Sequence, residues 1–373
     1  MSEDETTFGK TERRTFLKAT GVTGLTAAGA SGLGSANQDS LSLTNQSSAS
    51  SCPADANVYV TTLGSGASAF KNGRSSVGYI VHIDGEPKIL VDAGGGTASA
   101  ISEAEIDIAK LDMVLFTHLH VDHSAEFPAI LKATYQQDRD SRPWEIFGPT
   151  GAGIRPSTSE WVSKMFDGKK GAYSYIREFV KEYLGTDVRL NAHDIPAPVD
   201  SPGKVRTVYD NNDLTIKAAP TKHGKMPSLA YRVSYNGTSF TFTGDYSSKL
   251  GNVPKLAEGT NVMVQNRLLE PKRETSGSNP KQVLHSTPSE VGTNAQEANA
   301  GMLVLSHVSR DEVTDLSEEI EIISDKYGGP ILVTKDRVDM YPDGRVLETK
   351  ANPETGTSED NGDDLMFLPN IGD

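Results

Sequence analysis

Thr117-His118-Leu119-His120-Val121-Asp122-His123 follows directly on the apolar run Met113-Val114-Leu115-Phe116. Three of the chain's eight histidines fall inside this one stretch. The run Leu111-Asp-Met-Val-Leu-Phe reads as a buried strand by its length and flanks, so the histidines sit at a strand's carboxyl end, where sites collect in α/β layers. Imidazole and carboxylate at short spacing are ligands for a borderline-soft cation such as Zn²⁺. In extended backbone, residues two apart point the same way, so His118 and His120 can grip one ion together. Asp122 and His123 lie where the next helix should begin, and that change of direction can aim them at a second ion. One loop can therefore start two metal sites. A polar loop with no ligand role would not explain this pattern directly after a buried strand.

On either side of this stretch the chain alternates strands and turns. Val58-Tyr-Val-Thr-Thr-Leu is followed by Gly64-Ser65-Gly66, and Gly78–Ile83 and Pro87–Val91 flank an Asp84-Gly85 hairpin turn. A helix is expected over Ala98–Lys110. A helical insertion is expected at 157–184, opened by a Ser157/Glu160 capping box and carried by a stripe of Ala172, Ile176, Phe179, Val180, Tyr183 and Leu184 up to Gly185. Strands return at Leu214–Ala218, Ala230–Tyr235 and Ser239–Thr243, with Asn236-Gly237 as a second hairpin turn. The last third reads as a strand at Val262–Val264, a helix around Thr287–Ala300, a strand at Met302–Ser306, a helix at Thr314–Tyr327 and a strand at Ile331–Thr334. Two strand-rich halves, each closing with helices, predict an α/β protein built as a four-layer αββα sandwich over residues 56–350.

The 373 residues are 36% hydrophobic, enough for a sizeable core, and carry a formal charge of −14. That charge disfavours unspecific contact with nucleic acid or anionic membranes. Cys52 is the single cysteine, which excludes an intramolecular disulfide and leaves packing or metal to hold the fold. Residues 11–18, Thr-Glu-Arg-Arg-Thr-Phe-Leu-Lys, precede an uncharged Ala/Gly/Thr stretch from Ala19 to Gly34. Arg13, Arg14, Phe16, Leu17 and Lys18 resemble a twin-arginine (Tat) export signal, here assigned to 1–36, although Glu12 stands where a small hydroxyl residue is usual. The resemblance implies passage through the Tat translocase to an extracellular, periplasmic or cell-surface location. The apolar stretch is shorter than the ~20 residues that span a bilayer, so no permanent membrane anchor is expected. Residues 37–55 read as a flexible linker and 351–373 as a disordered acidic tail.

The histidine loop resembles the metal-binding signature of the metallo-β-lactamase superfamily, in particular its ribonuclease Z and arylsulfatase-like branch. Asp92 in Leu90-Val-Asp-Ala-Gly94 looks like that family's buried aspartate. His223 in Thr221-Lys-His-Gly resembles the third histidine of the first site. Asp245 in Phe242-Thr-Gly-Asp resembles the carboxylate bridging two ions, and His307 in Leu303-Val-Leu-Ser-His the last ligand of the second site. The resemblance thus implies the ligand set His118, His120, Asp122, His123, His223, Asp245 and His307. It also implies that His285, in His-Ser-Thr-Pro-Ser-Glu, assists the leaving group, and that Asp122 and Asp245 belong to the catalytic machinery. His82 and His193 receive bland readings, a surface or satisfied strand residue and a polar-loop residue.

A dizinc centre, with manganese or iron as other possible occupants, would hold its ions about 3.5–4 Å apart and supply a bridging hydroxide at neutral pH. A hydrolase is expected. Two departures set this chain apart from ribonuclease Z. Only residues 233–243 separate Tyr231-Arg232 from Gly244-Asp245, leaving no room for a tRNA-clamping arm, and Gln265-Asn266 stand where the tRNA enzymes carry a His-Glu pair. The favoured reading is an exported hydrolase of small anionic esters, a phosphodiester or an aryl sulfate. The alternatives are a carboxyl ester, lactone or β-lactam hydrolase, a ribonuclease Z-like endoribonuclease, and last an inactive metal-binding protein. Relatives of this branch are often dimers, so a homodimer is compatible with the resemblance.

Overall fold

Two eight-stranded sheets enclose the main core. The computed structural model describes residues 57–68, 73–137, 142–211, 213–266, 284–308 and 316–349, and the backbone of 367–368. The proposed signal and linker, with Cys52, lie outside these residues, as does most of the acidic tail.

The first sheet contains β1 (Val58–Gly64), β2 (Gly78–Ile83), β3 (Glu86–Ala93), β4 (Met113–Leu115), β5 (Trp144–Pro149) and β6 (Leu190–Ile195). The second holds β7 (Arg206–Asn211), β8 (Leu214–His223), β9 (Met226–Tyr235), β10 (Thr238–Phe242), β11 (Val262–Asn266), β12 (Met302–Ser306) and β13 (Ile331–Val333). β14 (Val338–Met340) and β15 (Val346–Glu348) return to the first sheet, giving the order β15-β14-β1-β2-β3-β4-β5-β6. β16 (Phe367–Leu368), within the acidic tail, pairs antiparallel with β13 and completes the second order, β16-β13-β12-β11-β10-β9-β8-β7.

Both hairpin turns form as their sequences dictate. Asp84 and Gly85 have φ of 52° and 82°, and Asn236 and Gly237 of 46° and 80°, the pair of positive angles that a two-residue turn needs to match strand twist. Beyond each hairpin the strands run parallel: β3 to β6 in one sheet, β10 to β13 in the other. The inner strands β4, β11 and β12 are buried on both faces, hence continuous apolar runs such as Met113-Val-Leu.

Val60, Val81, Val91 and Leu115 of one sheet pack with Ile216, Tyr231, Phe240 and Val304 of the other. Each such fully buried side chain contributes about 1.5–3 kcal/mol. Outside the first sheet, α1 (Thr97–Glu103) and α3 (Phe127–Gln137) bury Ile101, Phe127, Ile130 and Leu131 against Leu90 and Val114. Outside the second, α6 (Pro288–Glu297) and α7 (Ser317–Ser324) bury Val291, Ala295, Ile320 and Ile323. The layers are therefore helix, sheet, sheet, helix, the αββα sandwich.

Several local expectations change. The helix expected to Lys110 ends at Glu103, and Glu105 has a φ of 52° that a helix cannot continue through. The insertion forms α4 (Thr158–Phe166), α5 (Tyr175–Phe179) and a π-helical turn at Val180–Leu184. Ser157 caps α4, while the Glu160 carboxylate pairs with Lys164 at 2.6 Å. The wider π turn rotates the end of the stripe outward, so Ile176 and Val180 are core but Tyr183 is 73% exposed. His193 lies on edge strand β6, not in a loop, and pairs with Glu145 at 2.5 Å.

His82 is buried, so of its two readings the satisfied strand residue holds and the surface residue does not. Its Nε2 donates to Thr61 Oγ1 (2.9 Å), and Thr61 donates on to Asp339 Oδ1 (2.6 Å), while the ring stacks on Tyr59. Burial pushes this imidazole down to about 3 from its ordinary 6.5. The unfolded imidazole takes up a proton below about pH 6.5 and the folded one only near 3. This contribution is therefore complete above pH 6.5 and lost as pH falls toward 3. Between pH 7 and 5 the wild type should lose about 2 kcal/mol more stability than His82→Gln, which keeps a donor for Thr61 but does not titrate. Urea unfolding at the two pH values measures it; parallel pH profiles would refute it.

Candidate metal centre

The parallel strands of both sheets deliver the site residues from their carboxyl ends. Asp92 is the last residue but one of β3, His118 follows β4, Asp245 follows β10, and His307 follows β12. His223 is the last residue of β8, next to the turn into β9. His120 is the N-cap of α2 (Val121–Ser124), the short helix that carries Asp122 and His123.

The backbone turns sharply at these points. Asp92 and His307 have φ of 57° and 58°, left-handed values costing about 1–3 kcal/mol each outside glycine and concentrated at functional sites. Gly244, at φ 59°, turns the chain just before Asp245, and a Cβ there would come within 2.7 Å of Thr117 Cβ.

Two groups of donors result. The ligand atoms of His118, His120 and His223 lie within 4.8 Å of one another, as do those of Asp122, His123 and His307. His120 Nδ1 is 2.9 Å from His118 Nε2 and 3.3 Å from His223 Nε2. In the second group, His307 Nε2 is 3.3 Å and His123 Nε2 3.8 Å from Asp122 Oδ2. Asp245 stands between the groups: its Oδ1 is 3.7 Å from His123 Nε2, and its Oδ2 is 3.8 Å from His223 Nε2 and 3.5 Å from His307 Nε2. His285 Nδ1 lies 4.0 Å from the same Oδ2. All the residues expected from the sequence thus converge on one cleft, with Asp92 beneath it.

The surroundings orient the rings. Asp92 Oδ2 accepts from His123 Nδ1 at 2.8 Å, which turns His123 Nε2 into the cleft. Asp92 is itself held by the Thr117 amide (2.8 Å) and hydroxyl (2.7 Å). Leu284 O accepts from His223 Nδ1 (2.8 Å), leaving Nε2 for the cleft. Such outer partners fix tautomer and direction at metal sites. Thr117 was quoted in the sequence without a role, and nothing in its spacing gives one; Leu284 acts through its backbone, which side-chain reading does not see.

Burial depresses the pKa of His118 and His223, and burial with the neighbouring His223 and His123 brings His120 to about 4, so these imidazoles are neutral donors at pH 7. Burial raises Asp122, but the His307 hydrogen bond and the His123 charge outweigh it and bring the carboxyl to about 2. Asp245 falls well below the carboxylate range because His307 and His123 overcome its burial. Against its own burial, His123 is held charged by Asp92 and Asp245, so the cleft calls for positive charge between its carboxylates. His123 Nε2 and Asp245 Oδ1 are buried without a hydrogen-bond partner and face each other across 3.7 Å. That separation is too long for a hydrogen bond and suits two ligands of one cation. The neutral imidazoles of His118, His120 and His223 and the ionised carboxylates of Asp122 and Asp245 fit divalent metal, which would take the place of the proton on His123 Nε2.

The fold and this donor set define a metallohydrolase of the metallo-β-lactamase superfamily. A profile of the β-lactamase superfamily domain matches residues 88–308, and the chain belongs to that family. It is similar to ribonuclease Z of Mycobacterium marinum, 26% identical over 297 residues, 76% of this chain and 99% of that one. Ribonuclease Z of Mycobacterium sp. (strain KMS) is 28% identical over 266 residues, 67% of this chain and 84% of that one. Two solved structures share the fold. Human tRNase Z, short form, has a TM-score of 0.54 at 21% identity and covers 78% of this chain and 99% of its own. The metallo-β-lactamase fold protein YhfI from Bacillus subtilis has a TM-score of 0.53 at 20% identity, covering 78% and 98%.

Proposed function

We propose that this chain is an exported dinuclear zinc hydrolase of small anionic esters, phosphodiesters or aryl sulfates. The observation that carries the two-ion reading is Asp245, whose carboxylate stands 3.5–3.8 Å from histidines of both groups. His118, His120 and His223 would hold one ion, Asp122, His123 and His307 the other, and Asp245 both. Bound there, divalent ions supply Lewis acidity toward anionic oxygens and lower the pKa of water.

The chain's own groups do the rest. Asp122, ionised above about pH 2, keeps its charge throughout the neutral range. Asp92 holds the proton on His123 Nδ1. His285, beside Asp245, is placed to hand a proton to a leaving oxygen. Asn266 accepts from Tyr79 OH (3.0 Å), and Gln265 donates to Asn266 O (2.8 Å), so both are engaged in structural hydrogen bonds.

Ribonuclease Z relatives support a phosphodiester, and they also favour a second reading, an endoribonuclease of that kind. Against a tRNA substrate stand the net charge of −14 and the β9–β10 connection, which closes through Asn236-Gly237 with no inserted arm. Export rests on Arg13-Arg14 and their context.

The test is a panel given to the zinc-loaded protein: bis(p-nitrophenyl) phosphate, p-nitrophenyl sulfate, a lactone and a precursor tRNA. The phosphate or sulfate ester should exceed the lactone by about tenfold or more in kcat/KM, with the tRNA left intact. Preference for the lactone would move the assignment to carboxyl ester chemistry, and specific cleavage of the tRNA to the endoribonuclease.

A further inference from the structure

Glu126 follows the ligand helix α2 by two positions, and its side chain does not enter the cleft's donor groups. Its carboxylate instead reaches the loop that opens α1. Oε1 accepts from Gly96 N at 2.8 Å, Oε2 accepts from Ala98 N at 2.6 Å, and the Thr97 hydroxyl lies 3.4 Å away. Glu126 N donates to Ala93 O at 2.9 Å. One residue therefore ties the segment after Asp92 to the segment after His123 by three strong contacts. The two segments are already close: a Cβ on Gly94 would come within 2.2 Å of Asp122 O. Each carries part of the same donor group, since α2 bears Asp122 and His123, and the other segment begins at Asp92, which holds His123 Nδ1. Of the other group, His118 and His223 are held differently, by the end of β4, by β8 and by Leu284 O, while His120 is the N-cap of α2.

We infer that Glu126 is a positioning residue chiefly for the Asp122–His123–His307 group, setting the affinity of that half of the centre more than that of the His118–His120–His223 half. This inference rests on the two-ion reading above. The carboxylate fixes two backbone amides at once, and an amide-bearing side chain offers only one acceptor oxygen. Glu126→Gln should therefore weaken the clamp and Glu126→Ala should remove it.

The measurement is calorimetric zinc titration of the apo full chain, wild type and both variants, with Tm recorded in parallel. Wild type should take up two ions. In Glu126→Ala one of them should bind about 10–100-fold more weakly, the range seen when outer partners of metal ligands are removed, with Glu126→Gln between and the other ion within about threefold. Equal weakening of both ions, or a lower Tm with both affinities unchanged, would overturn the positioning role. Uptake of a single ion by wild type would instead sink the two-ion reading. Should Glu126→Ala fail to fold, Glu126→Gln alone carries the comparison, and an unchanged pair of affinities there overturns the inference.

Discussion

Asp245→Ala should reduce kcat/KM by about three orders of magnitude or more. Loss of an outer partner of a metal ligand commonly costs about 10–100-fold, and Asp245 is nearer the chemistry than any such partner. It is the carboxylate that faces His123, His223, His285 and His307 at once. Its removal also leaves His123 with Asp92 at Nδ1 and Asp122 at Nε2, and strips the cleft of a charge that would balance bound cations. Asp245→Asn separates charge from shape. The amide fills the same space, so if negative charge is what matters, Asn should be nearly as damaging as Ala, and both variants should hold less metal. Activity within tenfold of wild type in either variant, at full metal content, would show that the residue does not join the two groups.

Chelation is the second large effect. The expected ligands come from the 118–123 loop and from His223, His307 and Asp245, segments that belong to both sheets. Ions that bind only the folded chain stabilise it by about 4 kcal/mol each when present at a thousand times Kd. With two ions the total is about 8 kcal/mol, which at ~2 °C per kcal/mol for a large domain corresponds to a fall in Tm of roughly 15 °C on metal removal. Thermal unfolding with and without excess chelator, with metal content measured in both samples, reads this directly. An unchanged Tm in demonstrably metal-free protein would mean that packing alone holds these segments.

Features legible from the sequence were those whose cause is local. A run of apolar residues ending in closely spaced histidines specifies a buried strand and then a ligand loop, and Asp-Gly and Asn-Gly each specify a tight turn because of the angles they tolerate. The remaining ligands, His223, Asp245 and His307, came from the resemblance to the metallo-β-lactamase superfamily, whose short motifs recur here in the same order. What escaped was set by tertiary contact. His82 lies in an apolar run on β2, and only the approach of Thr61 and Asp339, from other strands, decides between its surface and satisfied readings. The stripe at 172–184 has helical spacing, yet a π turn shifts its last residues, and spacing carries no signal for that extra residue per turn. Glu126 looks like one more surface acid beside a helix start. Its partners are backbone amides some thirty positions earlier, invisible to any side-chain pattern.

The return of β14 to the first sheet has a consequence for biosynthesis. Val60, near the start of the described chain, is paired with Met340, and Thr62 with Val338. Until those late residues leave the ribosome, β1 has one flank exposed, and His307 is itself a late arrival. Native assembly of the centre must therefore wait until His307 and β14 have been made. A nascent chain can hold the 118–123 loop early, but the matched set of donors is complete only once His307 has emerged and β12 has joined its sheet.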